Sequence, residues 1–182
     1  MTFRWLFSIW LFLIAGQAMA DQCFERRYDA AHLAANKDQS VAFLQARLPS
    51  HRSGEARVRV TFRKTRAELQ AEEAEAEAAS SRGEEAPTTA KPKLYEAVLL
   101  CWAPAPGAPE GAWQCGVECD GGTFTAWESG GSLLLRTRGG FLVSGACGTD
   151  DDQAQRYVTD TNAIETTFRL DPIDIANCDE NE

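Results

Sequence analysis

Two small groups of residues in this sequence are of types and spacings that could do chemistry. Asp29 and His32 stand three apart in YDAAH, so on one helical turn they are neighbours and could pair for acid–base work. Asp150, Asp151 and Asp152 in GTDDDQAQ could offer carboxylate oxygens to Ca2+ from a loop. Neither group is complete. No G-x-S-x-G or reactive-cysteine signature supplies a nucleophile for His32, and GTDDDQAQ lacks the alternating ligands, central glycine and closing glutamate of an EF-hand loop. A surface helix and a solvated turn are the expected readings. An enzyme of hydrolase type, built on Asp29 and His32 or on a metal-bound aspartate cluster, therefore ranks last among the functions considered, and neither a cofactor nor a metal is expected.

The cysteines carry more information. In CGVECDGGTFTAW, Cys115 and Cys119 are four residues apart. On an extended strand that is about 13 Å, too far for a shared zinc ion, whose sulfur bonds are about 2.3 Å long. Each needs another partner. The six cysteines, Cys23, Cys101, Cys115, Cys119, Cys147 and Cys178, allow three disulfides in an exported chain. Cys101–Cys115 is favoured, because the two become neighbours across a hairpin closed by PAPGAPEG. Cys119–Cys147 and Cys23–Cys178 follow by elimination.

Glycine pairs at 121–122, 130–131 and 139–140 recur every nine residues. Gly-Gly turns joined by seven-residue runs describe a tight antiparallel meander, with strands at 113–120, 123–129, 132–138 and 141–147. If all three turns are ideal two-residue loops, Cys119 faces Phe124, then Thr137, then Leu142, while Val117 leads to Ala126 and Leu135 on the same, apolar face. The other face carries two rows, Glu118–Thr125–Arg136 and Asp120–Thr123–Arg138, with Trp127 beside Leu134. Glu118, Asp120, Trp127, Arg136 and Arg138 are thus the candidate binding residues. This register leaves Phe141, Val143 and Cys147 facing solvent, so a longer, bulged turn at Gly139–Gly140 is expected to reverse the last strand.

The remaining segments must position these groups. MTFRWLFSIWLFLIAGQAMA has one charge, Arg4, a short apolar run and small residues at 18 and 20, the pattern of a secretory leader cleaved after Ala20. Export to the periplasm or beyond follows, with no membrane span in the mature chain, expected as one disulfide-stabilised β domain over 21–182. A short helix followed by a turn is expected over 23–40, strands over 41–48 and 56–64, and a buried strand ending at Trp102 over 93–103. Between them, 65–92 is a solvated acidic insertion, helical or disordered. Within it, residues 67–86 hold seven glutamates against one arginine, a net −6 of the −10 left once Arg4 is removed. No basic stripe suits nucleic acid. YVTD (157–160) and TTFRLDPI (166–173) are expected to add one or two strands.

The fold class is therefore mostly all-β, an antiparallel meander closed into a small barrel or a two-layer sandwich. Its general character is similar to small envelope-associated β-barrels such as lipocalin-like carriers and periplasmic lysozyme inhibitors, a likeness of layout that no specific motif supports. Two functions rank ahead of an enzyme. The first is a monomeric binding module of the cell envelope that engages a protein partner, inhibitor-like, through loops and the acidic arm; the second is a carrier of a small apolar ligand inside a barrel lined by Trp113, Val117, Phe124 and Leu135.

Overall fold

The computed structural model describes residues 21–64, 66–84, 94–143, 156–159 and 164–178. Nine strands and two helices follow in the order β1 (Gln22–Arg27), α1 (Ala30–Ala35), β2 (Val41–Leu48), β3 (Gly54–Phe62), α2 (Arg66–Ser81), β4 (Leu94–Trp102), β5 (Trp113–Gly116), β6 (Gly122–Ser129), β7 (Ser132–Val143), β8 (Arg156–Tyr157) and β9 (Glu165–Ile173). Each strand from β1 to β7 pairs antiparallel with the next, β7 pairs β9, and β9 pairs back to β1. The sheet closes into an eight-stranded barrel. β8 stands outside that ring and pairs with the far end of β7.

Period-two patterning decides which side chains enter the barrel. Val58 and Val60 of β3, Leu99 of β4, Phe124 of β6, Leu133 and Leu135 of β7 and Leu170 of β9 are all buried in one cluster. An eight-stranded barrel is about wide enough for side chains to fill, and these point into it as one buried cluster. The Cys23–Cys178 disulfide ties the end of the C-terminal turn Ile175–Asn177 to β1, and Arg59 of β3 donates to the Cys178 carbonyl. Gln45, 1% exposed on the outer side of β2, donates to Glu25.

Three local expectations are corrected. Residues 23–27 are strand, not helix: pairing with both β2 and β9 outweighs the helix propensity of glutamate and arginine, and the helix starts only after Asp29. At 118–121 the turn sits earlier than Gly121–Gly122. Cys119 and Asp120 are its left-handed residues, at φ 58° and 61°, and the Val117 N–H donates to the Gly122 carbonyl. β5 therefore ends at Gly116, and it is Cys115, not Cys119, that faces Phe124.

The third correction concerns Gly139–Gly140, where there is no reversal and no long bulged turn. β7 runs straight through to Val143, and Phe141 and Val143 are buried in the core without any change of parity. The glycines, at φ 75° and 85°, form a kink at which β7 exchanges one neighbour for another. It pairs with β9 up to Arg138 and with β8 from Leu142. Gly130–Gly131 is the two-residue hairpin expected, with Trp127 opposite Leu134 and Thr125 opposite Arg136.

Gly122 enters β6 at φ 88°, against the Gly140 carbonyl and the Phe141 backbone. A Cβ there would overlap the Gly140 oxygen, whereas at Gly131, φ 80°, a Cβ meets nothing. Gly131→Ala is expected to cost about 1 kcal/mol, from its backbone angle alone. Gly122→Ala adds displaced backbone and is expected to cost at least about 3 kcal/mol. Urea unfolding of the two variants checks this, and equal losses would rule out the tight β6–β7 approach.

Candidate functional site

β4 alternates strictly. Tyr95, Ala97, Leu99 and Cys101 point inward, which leaves Glu96, Val98, Leu100 and Trp102 on the outer surface. Three of those four are apolar, at 49%, 46% and 44% exposure for Val98, Leu100 and Trp102. On a solvated barrel face such a row is the informative exception. The sequence pattern suggests a strand buried throughout, so Trp102 is corrected from a core residue to an exposed one.

The neighbouring strand shapes what lies beside the row. Gly116 of β5 stands opposite Leu100 and offers no side chain, so the Trp102 indole lies against it; a Cβ at Gly116 would come within 2.7 Å of the ring. Beyond Gly116 the chain turns through 118–121. Between turn and indole lies an open recess of about 460 Å³, floored by Leu100, Trp102 and Val117 and rimmed by Glu118 and Asp120. The rim is constrained at its centre: Cys119 is disulfide-bonded, and Cys119 and Asp120 hold two consecutive left-handed conformations that are costly unless the surroundings impose them. On the other flank, Glu55 of β3 faces Leu100 and Arg57 faces Val98, with Arg57 3.6 Å from Glu96. Neither Glu118, Asp120 nor Glu55 has an ion-pair partner among the described residues.

The expected binding residues are thus divided. Glu118 and Asp120 line the recess, but not as members of charge rows, because Thr125 stands opposite Gln114 and donates to its Oε1 at 2.8 Å. Arg136 and Arg138 lie opposite Thr167 and Glu165 of β9. Trp127 is half-buried, with the Arg136 guanidinium 5.1 Å from its ring centroid. Its indole is already covered by this chain's own cation.

Asp29 and His32 do come together, in a different relation from an acid–base pair. The Asp29 carboxylate accepts from the His32 backbone N–H at 2.7 Å and caps α1. The imidazole stacks on Tyr28 and its Nε2 bonds Gln39 Oε1 at 3.0 Å. Arg63 closes the other end of α1 by donating to the Leu33 and Asn36 carbonyls. Asp150, Asp151 and Asp152 lie outside the described residues, as does Cys147. Among the described residues no group of three or more metal-ligating side chains gathers, and no helix is long and apolar enough to cross a membrane. Cys101–Cys115 and Cys23–Cys178 are bonded.

No family model, no curated protein and no solved structure matches this chain. The functional reading therefore rests on the geometry. Val98, Leu100 and Trp102 were the residues that sequence reasoning missed, and the signal for them was the apolar character of both faces of 93–103.

The α1 geometry gives a direct test of what Asp29 does. Asp29→Ala removes the cap and is expected to cost about 1 kcal/mol, while Asp29→Asn, which also caps, is expected to be near neutral. Thermal unfolding of the two separates them; a loss in Asn equal to that in Ala would show that the charge of Asp29, not its cap, is what matters.

Proposed function

We propose that this protein is an exported binding module of the cell envelope, released from its leader after Ala20, that engages a protein partner through the outer face of β4 and the turn beside it. The observation that carries the reading is the row Val98–Leu100–Trp102, exposed on the outside of a barrel whose inward side chains form one buried cluster. A hydrated tryptophan beside two exposed aliphatic side chains is a standing free-energy cost, about 25 cal/mol per Å² of apolar area, and association recovers it. Tryptophans in such positions are the commonest anchors of protein interfaces. The disulfides support the exported compartment. Carriage of a small apolar ligand is the weaker reading, since Trp113, Phe124 and Leu135, its expected lining, are buried against one another.

The test places a photo-crosslinking phenylalanine at position 102, and a control at exposed position 165 on β9, in the protein exported by its native host. Irradiation is expected to trap a discrete protein from position 102 and not from 165. Native mass spectrometry of the same material, without reductant, is expected to give a chain starting at Asp21 and about six hydrogens lighter than its reduced form. Trapping nothing from 102, together with a retained small molecule, would move the function to carriage.

A further inference from the structure

Three tryptophans lie beyond the leader, Trp102, Trp113 and Trp127, and two of them are covered by arginines of this chain. The Arg52 guanidinium lies 5.2 Å from the Trp113 ring centroid and that of Arg136 5.1 Å from Trp127. Smaller aromatics repeat the arrangement, Arg26 over Tyr28 and Arg27 over Phe43. Trp102 departs from it. Although it is the most exposed tryptophan described, no guanidinium of the described residues lies over its ring, and its recess contains no lysine or arginine.

What the recess does contain is the complement of a cation. An indole face attracts a guanidinium through its quadrupole. Glu118 and Asp120 stand on the rim of the same recess, and Glu55 flanks Leu100 from the other side. Carboxylates and an aromatic face are the two groups that a planar, five-donor guanidinium satisfies at once, more fully than an ammonium does. The volume, about 460 Å³, is ample for one long side chain with part of its backbone.

Resting on the binding-module reading above, we infer that the recess beside Trp102 receives an arginine side chain of the protein partner, on a segment whose apolar neighbours lie along Leu100 and Val98. The partner's arginine takes the place that Arg52 and Arg136 occupy over Trp113 and Trp127. Apolar contact with the β4 row supplies the burial, and the rim carboxylates select a basic segment over an acidic one.

The probe is the peptide acetyl-LRVRL-amide, with analogues in which both arginines become lysine or glutamate. Binding is read from the ¹H–¹⁵N indole resonance of Trp102, assigned with Trp102→Phe, and the Trp113 and Trp127 indoles serve as internal controls. The arginine peptide is expected to move the Trp102 resonance selectively, with a dissociation constant below about 1 mM at low salt. The lysine analogue binds several-fold more weakly, the glutamate analogue not at all, and added salt weakens the arginine peptide. Glu118→Gln with Asp120→Asn lowers affinity roughly tenfold, and in Trp102→Ala, followed through the backbone amide resonances of Leu100 and Gly116, binding is lost. These side chains are exposed and asparagine tolerates the left-handed angle of residue 120, so unchanged unfolding midpoints confirm that the variants are folded. An unmoved Trp102 resonance, equal binding by the glutamate analogue, or full affinity in the carboxylate double variant would overturn the inference. So would Trp102-dependent binding to phosphatidylglycerol vesicles in place of the peptide. If the crosslinker at 102 traps a protein while the peptide fails, the arginine inference falls and the binding-module reading stands; if position 102 traps nothing, both fall.

Discussion

β7 must satisfy three neighbours, and the barrel depends on how it does so. One edge pairs with β6; the other pairs first with β9, which leads round to β1, and then with β8. Within its 12 residues β7 exchanges β9 for β8 between Arg138 and Leu142. The kink at Gly139–Gly140 lets the strand change direction without leaving the sheet, and Gly122 fits against the kink from β6 because it has no side chain. Phe141 then stays inside, 5.2 Å from Phe124 between ring centroids. The buried aromatic pair and the change of neighbour along β7 thus meet at this one pair of glycines.

Closure also decides where binding can occur. The inward side chains form one buried cluster, and the surface open to a partner is the outer one. Part of that surface is neutralised locally: Arg26 with Asp171, Arg47 with Asp21 and Arg57 with Glu96. Exposed pairs of this kind add little stability, but they remove charge that would otherwise compete for a partner. The end of β4 lacks that neutralisation and lacks the arginine cover given to the other tryptophans. Its exposed apolar row and its uncompensated carboxylates meet at Trp102.

How much of this was legible in the sequence depends on the range of the interaction. Strands β2, β3 and β9 and the Gly130–Gly131 hairpin follow from patterns a few residues long, and α1 is visible once its Asp29 cap is recognised. β1 was misread because its strand character comes from partners about 20 and nearly 150 residues away. The glycine spacing misled in a specific way: three identical pairs perform three different tasks, a strand entry, a hairpin and a kink, and only their neighbours distinguish them. Trp102 was misread for a similar reason. An apolar row on both faces of a strand is equally what a doubly buried strand and an exposed anchor present, and the choice is made by whether anything covers the outer face.

The acidic arm acquires a different role from the one its composition suggests. α2 leaves the barrel between Phe62 and Leu94, at the end of β4 opposite Trp102. The nine residues of β4 place its root about 26 Å from the indole, roughly three Debye lengths at physiological ionic strength. Lys64, bonded to Glu72, ties that root to the barrel. Glu72, held at that root, would contribute little to the affinity of a segment seated on Trp102, yet at low salt it would add to the field that draws a basic partner in. On the proposed reading Glu118 and Asp120, which line the recess, would act on how long it stays. The two acidic features are therefore separable in kinetics, since losing α2 would slow association at low salt, whereas neutralising the rim would speed dissociation even where the long-range field is screened.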